Sequence, residues 1–135
     1  MRSRHVFAHL PGRLDFERSL DFYSAVLAGI GLEVRFIDRT RPWAGWQIPG
    51  EPRPLFLIGK PFDENPHHCG NGQMVAFLAN TRALVDSAYS LALAHGGTSD
   101  GAPGLRPRYH ANYYGAYFCD PDGNKVCIAR HTPLD

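Results

Sequence analysis

Apolar side chains between residues 16 and 30 recur at intervals of three and four positions, which is the spacing of one face of an α-helix. The residues on this face are Phe16, Leu20, Tyr23, Leu27 and Ile30. Asp15 is predicted to cap the first turn with its carboxylate, and Gly29 and Gly31 are predicted to end the helix. A helix is therefore expected in the segment "DFERSLDFYSAVLAGIG".

Short runs rich in β-branched and aromatic residues lie on both sides of this helix and predict strands. One run precedes the helix, "HVFAHL" (His5–Leu10), and three follow it, "EVRFID" (Glu33–Asp38), "WAGWQI" and "PLFLIG". The turn-rich segment "PGEPRP" separates the last two. The first half of the chain is thus predicted to contain a strand, a helix and three strands.

The same order of elements returns in the second half. "QMVAFLA" (Gln73–Ala79) predicts a strand, "TRALVDSAYSLALAHGG" a helix, and "NYYGAYFC" and "KVCIAR" two strands joined by the turn "DPDGN". The segment Thr98–Tyr109 is predicted to be mostly loop, with room for one short strand. When the two halves are overlaid, His5 and Met74 occupy corresponding positions on the strands that precede the helices.

Two such units are each too small to close a core, so we expect them to pair and to curl around a shared cleft. The predicted fold class is α+β, with two tandem βαβββ modules. A single domain spans residues 1–135, with module one at about 1–60, a polar linker at about 61–72 and module two at about 73–135.

Composition and charge narrow the range of functions. The 135 residues are 44% hydrophobic and carry a net charge of +1, so no basic field favours nucleic acid or an anionic membrane surface. No apolar run is long enough to span a bilayer, and the N-terminus lacks the pattern of a signal peptide. Three scattered cysteines argue against a secreted disulfide framework. The expected compartment is the cytoplasm.

The C-terminal part of the chain carries a family likeness. "GAPGLRP" and "DPDGN" stand in order within "AHGGTSDGAPGLRPRYHANYYGAYFCDPDGNKVCIARH". Together with a first strand that opens with His, and with "FY…VL…GL" in the first helix, this segment resembles the glyoxalase/bleomycin-resistance/extradiol-dioxygenase superfamily, also called vicinal oxygen chelate. The resemblance implies the two-module fold, a homodimer and a small-molecule ligand.

The resemblance also implies a divalent metal held by His or Gln, then His, then Glu. Carried over residue by residue, these positions fall on His5, Met74 and Cys127, so two of the three depart from the pattern. Iron, manganese, magnesium and nickel sites of this type require imidazole and hard carboxylate oxygen, and one histidine does not hold a catalytic metal. We therefore expect no cofactor.

Two interpretations of the altered positions stay open. His5, Met74 and Cys127, with His9 on the same strand face as His5, form a ligand set for Cu(I). We favour the other, in which Met74 and Cys127 make a dry pocket wall.

The candidate catalytic residues are His5, as a general base or a wall residue, and Tyr117. Tyr117 stands three residues before "DPDG", where related fosfomycin-resistance members place a tyrosine that faces the ligand. The candidate ligand-contacting residues are Phe7, His9, Met74, Arg106, Tyr113 and Cys127. Arg106 belongs to the loop "GLRPRYH", which is expected to offer a cation to an anionic substrate.

Two functions of different class follow from these residues and this resemblance. The first is a metal-independent protein that binds a small organic molecule in an apolar cleft. The second is a lyase, isomerase or dioxygenase-type enzyme that uses a divalent metal or acid–base chemistry by His5 and Tyr117.

Overall fold

The fold is described from a computed structural model that covers residues 13–61 and 63–133. The strand predicted at His5–Leu10 lies outside these residues, and so do three of the candidate site residues, His5, Phe7 and His9. Every other candidate residue is described.

The order of helices and strands agrees with the two-unit pattern over the described residues. The elements of the first half are α1 (Arg13–Gly29), β1 (Glu33–Asp38), β2 (Trp43–Gln47) and β3 (Phe56–Gly59). Those of the second half are β4 (Val75–Leu78), α2 (Arg82–Ala94), β5 (Thr98–Leu105), β6 (Tyr114–Cys119) and β7 (Lys125–Arg130). Neither of these helices is long and apolar enough to cross a membrane.

The strands form two sheets, which confirms the α+β class. Strands β1, β2 and β3 make an antiparallel sheet in that order. The second sheet has the order β4-β7-β6-β5, with β4 parallel to β7 and the other pairs antiparallel. A parallel neighbour requires a crossover, and α2, β5 and β6 supply it.

The prediction of a mostly loop segment after α2 was wrong, because β5 is a strand of eight residues. It pairs with β6 along its length, with shifts of register between Ser99 and Gly101 and between Gly101 and Gly104. Such irregularities let a strand tolerate glycine and proline, which local composition alone assigns to loops.

The first helix buries the apolar face that its spacing predicted. Phe16, Leu20, Tyr23, Leu27 and Ile30 are all buried, and so are Phe22 and Val26. The role predicted for Asp15 was wrong, because the helix begins at Arg13 and Asp15 lies inside its first turn. There its carboxylate lies 3.5 Å from the guanidinium of Arg18.

One continuous core joins the two halves of the chain. The ring of Phe56 on β3 lies 5.0 Å from that of Tyr23 on α1 and 5.1 Å from that of Phe77 on β4, measured between centroids. Further along the core, Phe22 contacts Phe118 on β6 at 6.0 Å. Aromatic packing between the halves therefore fixes how the first helix and first sheet sit against the second sheet.

The turn between β6 and β7 is tied to α1 by a buried hydrogen-bond network. The carboxylate of Asp120 is 3% exposed and accepts the hydroxyl of Tyr23 at 2.6 Å. It also accepts the backbone N–H groups of Asp122 and Asn124, each at 2.9 Å. The turn "DPDGN" is thus a structural element that also anchors the first helix.

Candidate functional site

Side-chain alternation gives the second sheet two different faces. On one face, Ala116 and Phe118 of β6 and Val126 and Ile128 of β7 belong to the main core. On the opposite face, Tyr117, Cys127 and Ala129 form a separate small cluster with Tyr113. The candidate residues of β6 and β7 therefore lie together on the face turned away from the helices.

Three polar side chains meet on this second face. The register of β6 and β7 places Tyr117 opposite Cys127. The hydroxyl of Tyr113 lies 2.9 Å from the hydroxyl of Tyr117 and 3.5 Å from the Sγ atom of Cys127. Gly115, which lies between the two tyrosines, makes room for this arrangement, because a Cβ atom there would lie 2.9 Å from the Tyr113 ring. Cys127 itself has no exposed surface.

A cavity of about 500 Å³ opens over the two tyrosines, and we call it the tyrosine cavity. Its described lining includes Gly72, Gln73 and Met74 ahead of β4, together with Tyr113, Tyr117 and Lys125. Tyr109, His110 and His131 complete the rim. Apart from Gly72 of the linker, these residues come from the second half, so a cleft shared by both modules stays a prediction. The volume suits a drug-sized organic molecule.

Two cations stand over the ring of Tyr117. The guanidinium carbon of Arg106 lies 5.5 Å from the ring centroid, and the Nζ atom of Lys125 lies 5.4 Å from it. Lys125 is also paired with Asp100 at 3.0 Å. Arg106 was among the predicted ligand-contacting residues, and in the structure it lies over the Tyr117 ring.

Histidine and tyrosine rings build the rim of the tyrosine cavity. The Nε2 atom of His110 lies 3.0 Å from the Nδ1 atom of His131. The ring of Tyr113 contacts His131 at 4.8 Å and Tyr109 at 4.9 Å between centroids. Because the backbone N–H of Asn112 donates to Nδ1 of His110 at 3.2 Å, neutral His110 carries its proton on Nε2 and donates it to His131.

Burial keeps the acidic groups of the cluster protonated. Desolvation raises the pKa of Cys127, although hydrogen bonds from the two tyrosines oppose this shift. Desolvation, reinforced by hydrogen bonds with Cys127 and Tyr117, raises the pKa of Tyr113, and desolvation also raises the pKa of Tyr117. At neutral pH these residues are therefore a thiol and two phenols, which donate and accept hydrogen bonds rather than carry charge.

The residues predicted at the family's metal positions do not fit its usual metals. Ala76 of β4 is opposite Cys127 of β7, so Met74, two residues earlier, lies on the same face as Cys127. A thioether and a protonated, buried thiol are poor donors for iron, manganese, magnesium or nickel. Within the described part of the chain, no group of three His, Cys, Asp or Glu side chains is placed to hold a metal ion. His5 lies outside that part.

Besides Gly72 and Gln73, four lining residues of the tyrosine cavity were missed in the sequence: Lys125, His131, Tyr109 and His110. A signal for the first two was present, because residues 125, 127, 129 and 131 alternate onto one face of a strand. The other two belong to the loop "GLRPRYH", and their positions depend on how the β5–β6 connection folds back. The backbone N–H of Arg106 donates to the carbonyl of Tyr113 at 2.8 Å and closes that loop.

Comparison with known proteins places the chain in a family. The sequence profile of the Glyoxalase/Bleomycin resistance protein/Dioxygenase superfamily matches residues 13–128, and the chain belongs to this superfamily. A glyoxalase/bleomycin resistance protein from Albidiferax ferrireducens T118 shares 29% identity and a TM-score of 0.76, over 95% of this chain and 97% of that one. No curated protein matches the chain.

More distant solved structures show the same fold. A glyoxalase/bleomycin resistance protein/dioxygenase family enzyme from Burkholderia phytofirmans PsJN is 19% identical, with a TM-score of 0.68 over 96% of this chain and 97% of that one. Lactoylglutathione lyase from Agrobacterium tumefaciens is also 19% identical, with a TM-score of 0.63 over 96% and 92%. The predicted family and fold are confirmed, and at this identity the likeness concerns the fold alone.

The three cysteines should differ in their reaction with iodoacetamide near neutral pH. Cys69 is exposed, Cys119 is half-buried and Cys127 is buried with a raised pKa, so Cys69 should be alkylated first and Cys127 last. Peptide mass spectrometry over a time course measures the three rates. In guanidinium chloride all three should react alike, and equal rates for Cys69 and Cys127 in the native protein would contradict the buried thiol.

Proposed function

We propose that the protein binds a small organic molecule in the tyrosine cavity without the usual metal of its superfamily. The observation that carries this proposal is the buried Cys127 side chain, whose Sγ atom lies 3.5 Å from the Tyr113 hydroxyl, at the position where the family resemblance implies a metal-binding carboxylate. Without that carboxylate, the hydroxyls of the two tyrosines are the polar groups offered at this wall of the cavity. They can orient a ligand oxygen by hydrogen bonds.

Binding is favoured over acid–base catalysis by the state of Tyr117. A phenol with a raised pKa holds its proton more tightly and is a weaker general acid than an ordinary tyrosine. The alternative, a lyase, isomerase or dioxygenase-type enzyme that uses His5 and Tyr117 or a divalent metal, is the outcome that the experiments below are designed to detect.

Protein purified without a tag or chelator should contain less than about 0.1 equivalent of Fe, Mn, Ni or Zn by elemental analysis, since Met74 and Cys127 are poor donors for hard cations.

The double variant Met74→His with Cys127→Glu should gain affinity for Ni²⁺ or Mn²⁺, measured by calorimetry. The pair Met74→Gln with Cys127→Gln is the matched control without a carboxylate or an imidazole. Stoichiometric metal in the wild type that is lost when His5 is mutated would contradict the metal-free proposal.

A thermal-shift screen of chemically diverse small molecules tests the binding function itself. Compounds that raise the melting temperature of the wild type should not raise that of Gly115→Val, because a side chain at position 115 displaces the Tyr113 ring. Tyr114→Phe is the control, since the Tyr114 hydroxyl bonds Asp86 on the other side of β6. A screen without hits from any chemical class would count against a binding protein.

We also propose, on the family resemblance, that the protein works as a homodimer, and, on its odd number of cysteines, that it works in the cytoplasm. Sedimentation velocity at micromolar concentration should give a species of about twice the 15.0 kDa chain mass. A single species at the chain mass would contradict the dimer.

A further inference from the structure

The described lining of the tyrosine cavity has a definite charge. It contains no aspartate or glutamate, whereas Lys125 is part of it. Arg106 is not part of this lining, but its guanidinium also stands over the Tyr117 ring, so this ring has two positive charges near it. Two cations at one ring repel each other, and an anion between them relieves that repulsion. A cationic ligand would meet the opposite effect.

Arg106 is the cation that has no counterion among the described residues. Its guanidinium donates to the backbone oxygen of Ala102 at 2.7 Å and, among the described residues, it makes no ion pair with a carboxylate. Two glycines of β5 make room for it, because a Cβ atom on Gly101 or Gly104 would lie 3.2 Å or 3.1 Å from a guanidinium nitrogen. The charge is therefore held against β5, beside the cavity.

Lys125 is already neutralised in part. Its Nζ atom lies 3.0 Å from a carboxylate oxygen of Asp100. Of the two cations only Lys125 has a paired carboxylate, which leaves the positive charge of Arg106 in excess beside the tyrosine cavity. A ligand with one negative charge would balance it.

The aromatic wall indicates the shape of the ligand. Tyr109 and His131 both contact the ring of Tyr113, so several ring surfaces meet at the mouth of the cavity. Beneath them, the hydroxyls of Tyr113 and Tyr117 can turn to donate to a ligand oxygen. A flat apolar ring suits the ring surfaces at the mouth, and a negatively charged oxygen suits the hydroxyl donors beneath them.

From these contacts we propose that the tyrosine cavity binds a planar organic acid with a single negative charge, an aromatic carboxylate. Its ring lies against Tyr109, Tyr113 and His131, and its carboxylate lies between Arg106 and Lys125 within reach of a tyrosine hydroxyl. This inference rests on the small-molecule function proposed above and names the chemical class of its ligand.

The test compares three probes of one shape and different charge by isothermal titration calorimetry. They are 1-naphthoate, its neutral amide 1-naphthamide, and the cation 1-naphthylmethylammonium. Naphthoate should bind the wild type about tenfold more tightly than the amide, and the cation should bind most weakly.

Substitutions identify the groups that recognise the charge. Arg106→Gln should weaken naphthoate binding about tenfold, and Arg106→Lys should restore part of it. Asp100→Asn should tighten binding about threefold, because it frees Lys125 from its counterion. Arg41→Gln is the matched control, since Arg41 also lies over an aromatic ring, 5.7 Å from the centroid of Trp43, and outside the cavity. It should change the affinity less than twofold.

Three outcomes would overturn this inference. One is equal affinity for the acid and the amide. Another is equal loss of affinity in Arg106→Gln and Arg41→Gln. In both cases the small-molecule function would stand if both probes bind and Gly115→Val abolishes their binding. The third is the absence of binding by any naphthalene probe at millimolar concentration, which rejects aromatic acids and leaves the binding function to the diverse screen.

Discussion

Replacing Phe56 with alanine should lower the free energy of unfolding by about 4 kcal/mol. The Phe56 side chain has no exposed surface, and its ring contacts Tyr23 from the first helix and Phe77 from the second sheet. Removing the ring gives up its burial and leaves a cavity at the contact between the two halves of the chain. Urea denaturation followed by circular dichroism measures the change.

Phe36→Ala is the control for this substitution. Phe36 is a half-buried phenylalanine of β1, and its ring packs on Trp43 instead of on the second half of the chain. Its loss should cost less than about 2 kcal/mol, and equal losses for Phe36 and Phe56 would contradict the joined core. A double-mutant cycle of Phe56 and Phe77 should show a coupling of about 1 kcal/mol.

Asp120→Ala should destabilise the protein by about 3 kcal/mol. The substitution removes the acceptor of the Tyr23 hydroxyl, which then stays buried without this partner. It also removes the acceptor of two backbone N–H groups and the side-chain amide in the turn before β7. The shift of the urea midpoint at constant slope measures the effect.

A second aspartate–tyrosine pair provides the matched control for Asp120. Tyr114 donates to Asp86 at 2.6 Å, the same length as the bond from Tyr23 to Asp120, but this pair is exposed. Asp86→Ala should therefore cost less than about 1 kcal/mol. Asp120→Asn should fall between the two, because an amide oxygen accepts some of these bonds. A loss at Asp120 no greater than at Asp86 would show that the buried network does not anchor the helix.

Local pattern was sufficient for most of the elements and for the family. The spacing of Phe16, Leu20 and Tyr23 places them on one buried helix face, and alternation places Tyr117 of β6 on the same face as Tyr113, the residue before this strand. Pattern failed at β5, because pairing with β6 outweighs the local preference of glycine and proline. It failed again at Asp15, because a carboxylate in the first turn and one at the cap give the same sequence signal.

The sequence by itself determined the superfamily and the alternation of the site strands, and it predicted that Met74 and Cys127 stand at two metal-ligand positions. Only the tertiary structure decided that Arg106, Lys125 and Asp100 meet beside Tyr117, and that Tyr23 bonds a residue 97 positions away. The physical reason is that a sequence pattern reports only on its own helix or strand. Periodicity records which side of its own element a residue occupies, whereas strand register, bulges and loop closure set distances between elements. The charge of the tyrosine cavity depends on those distances.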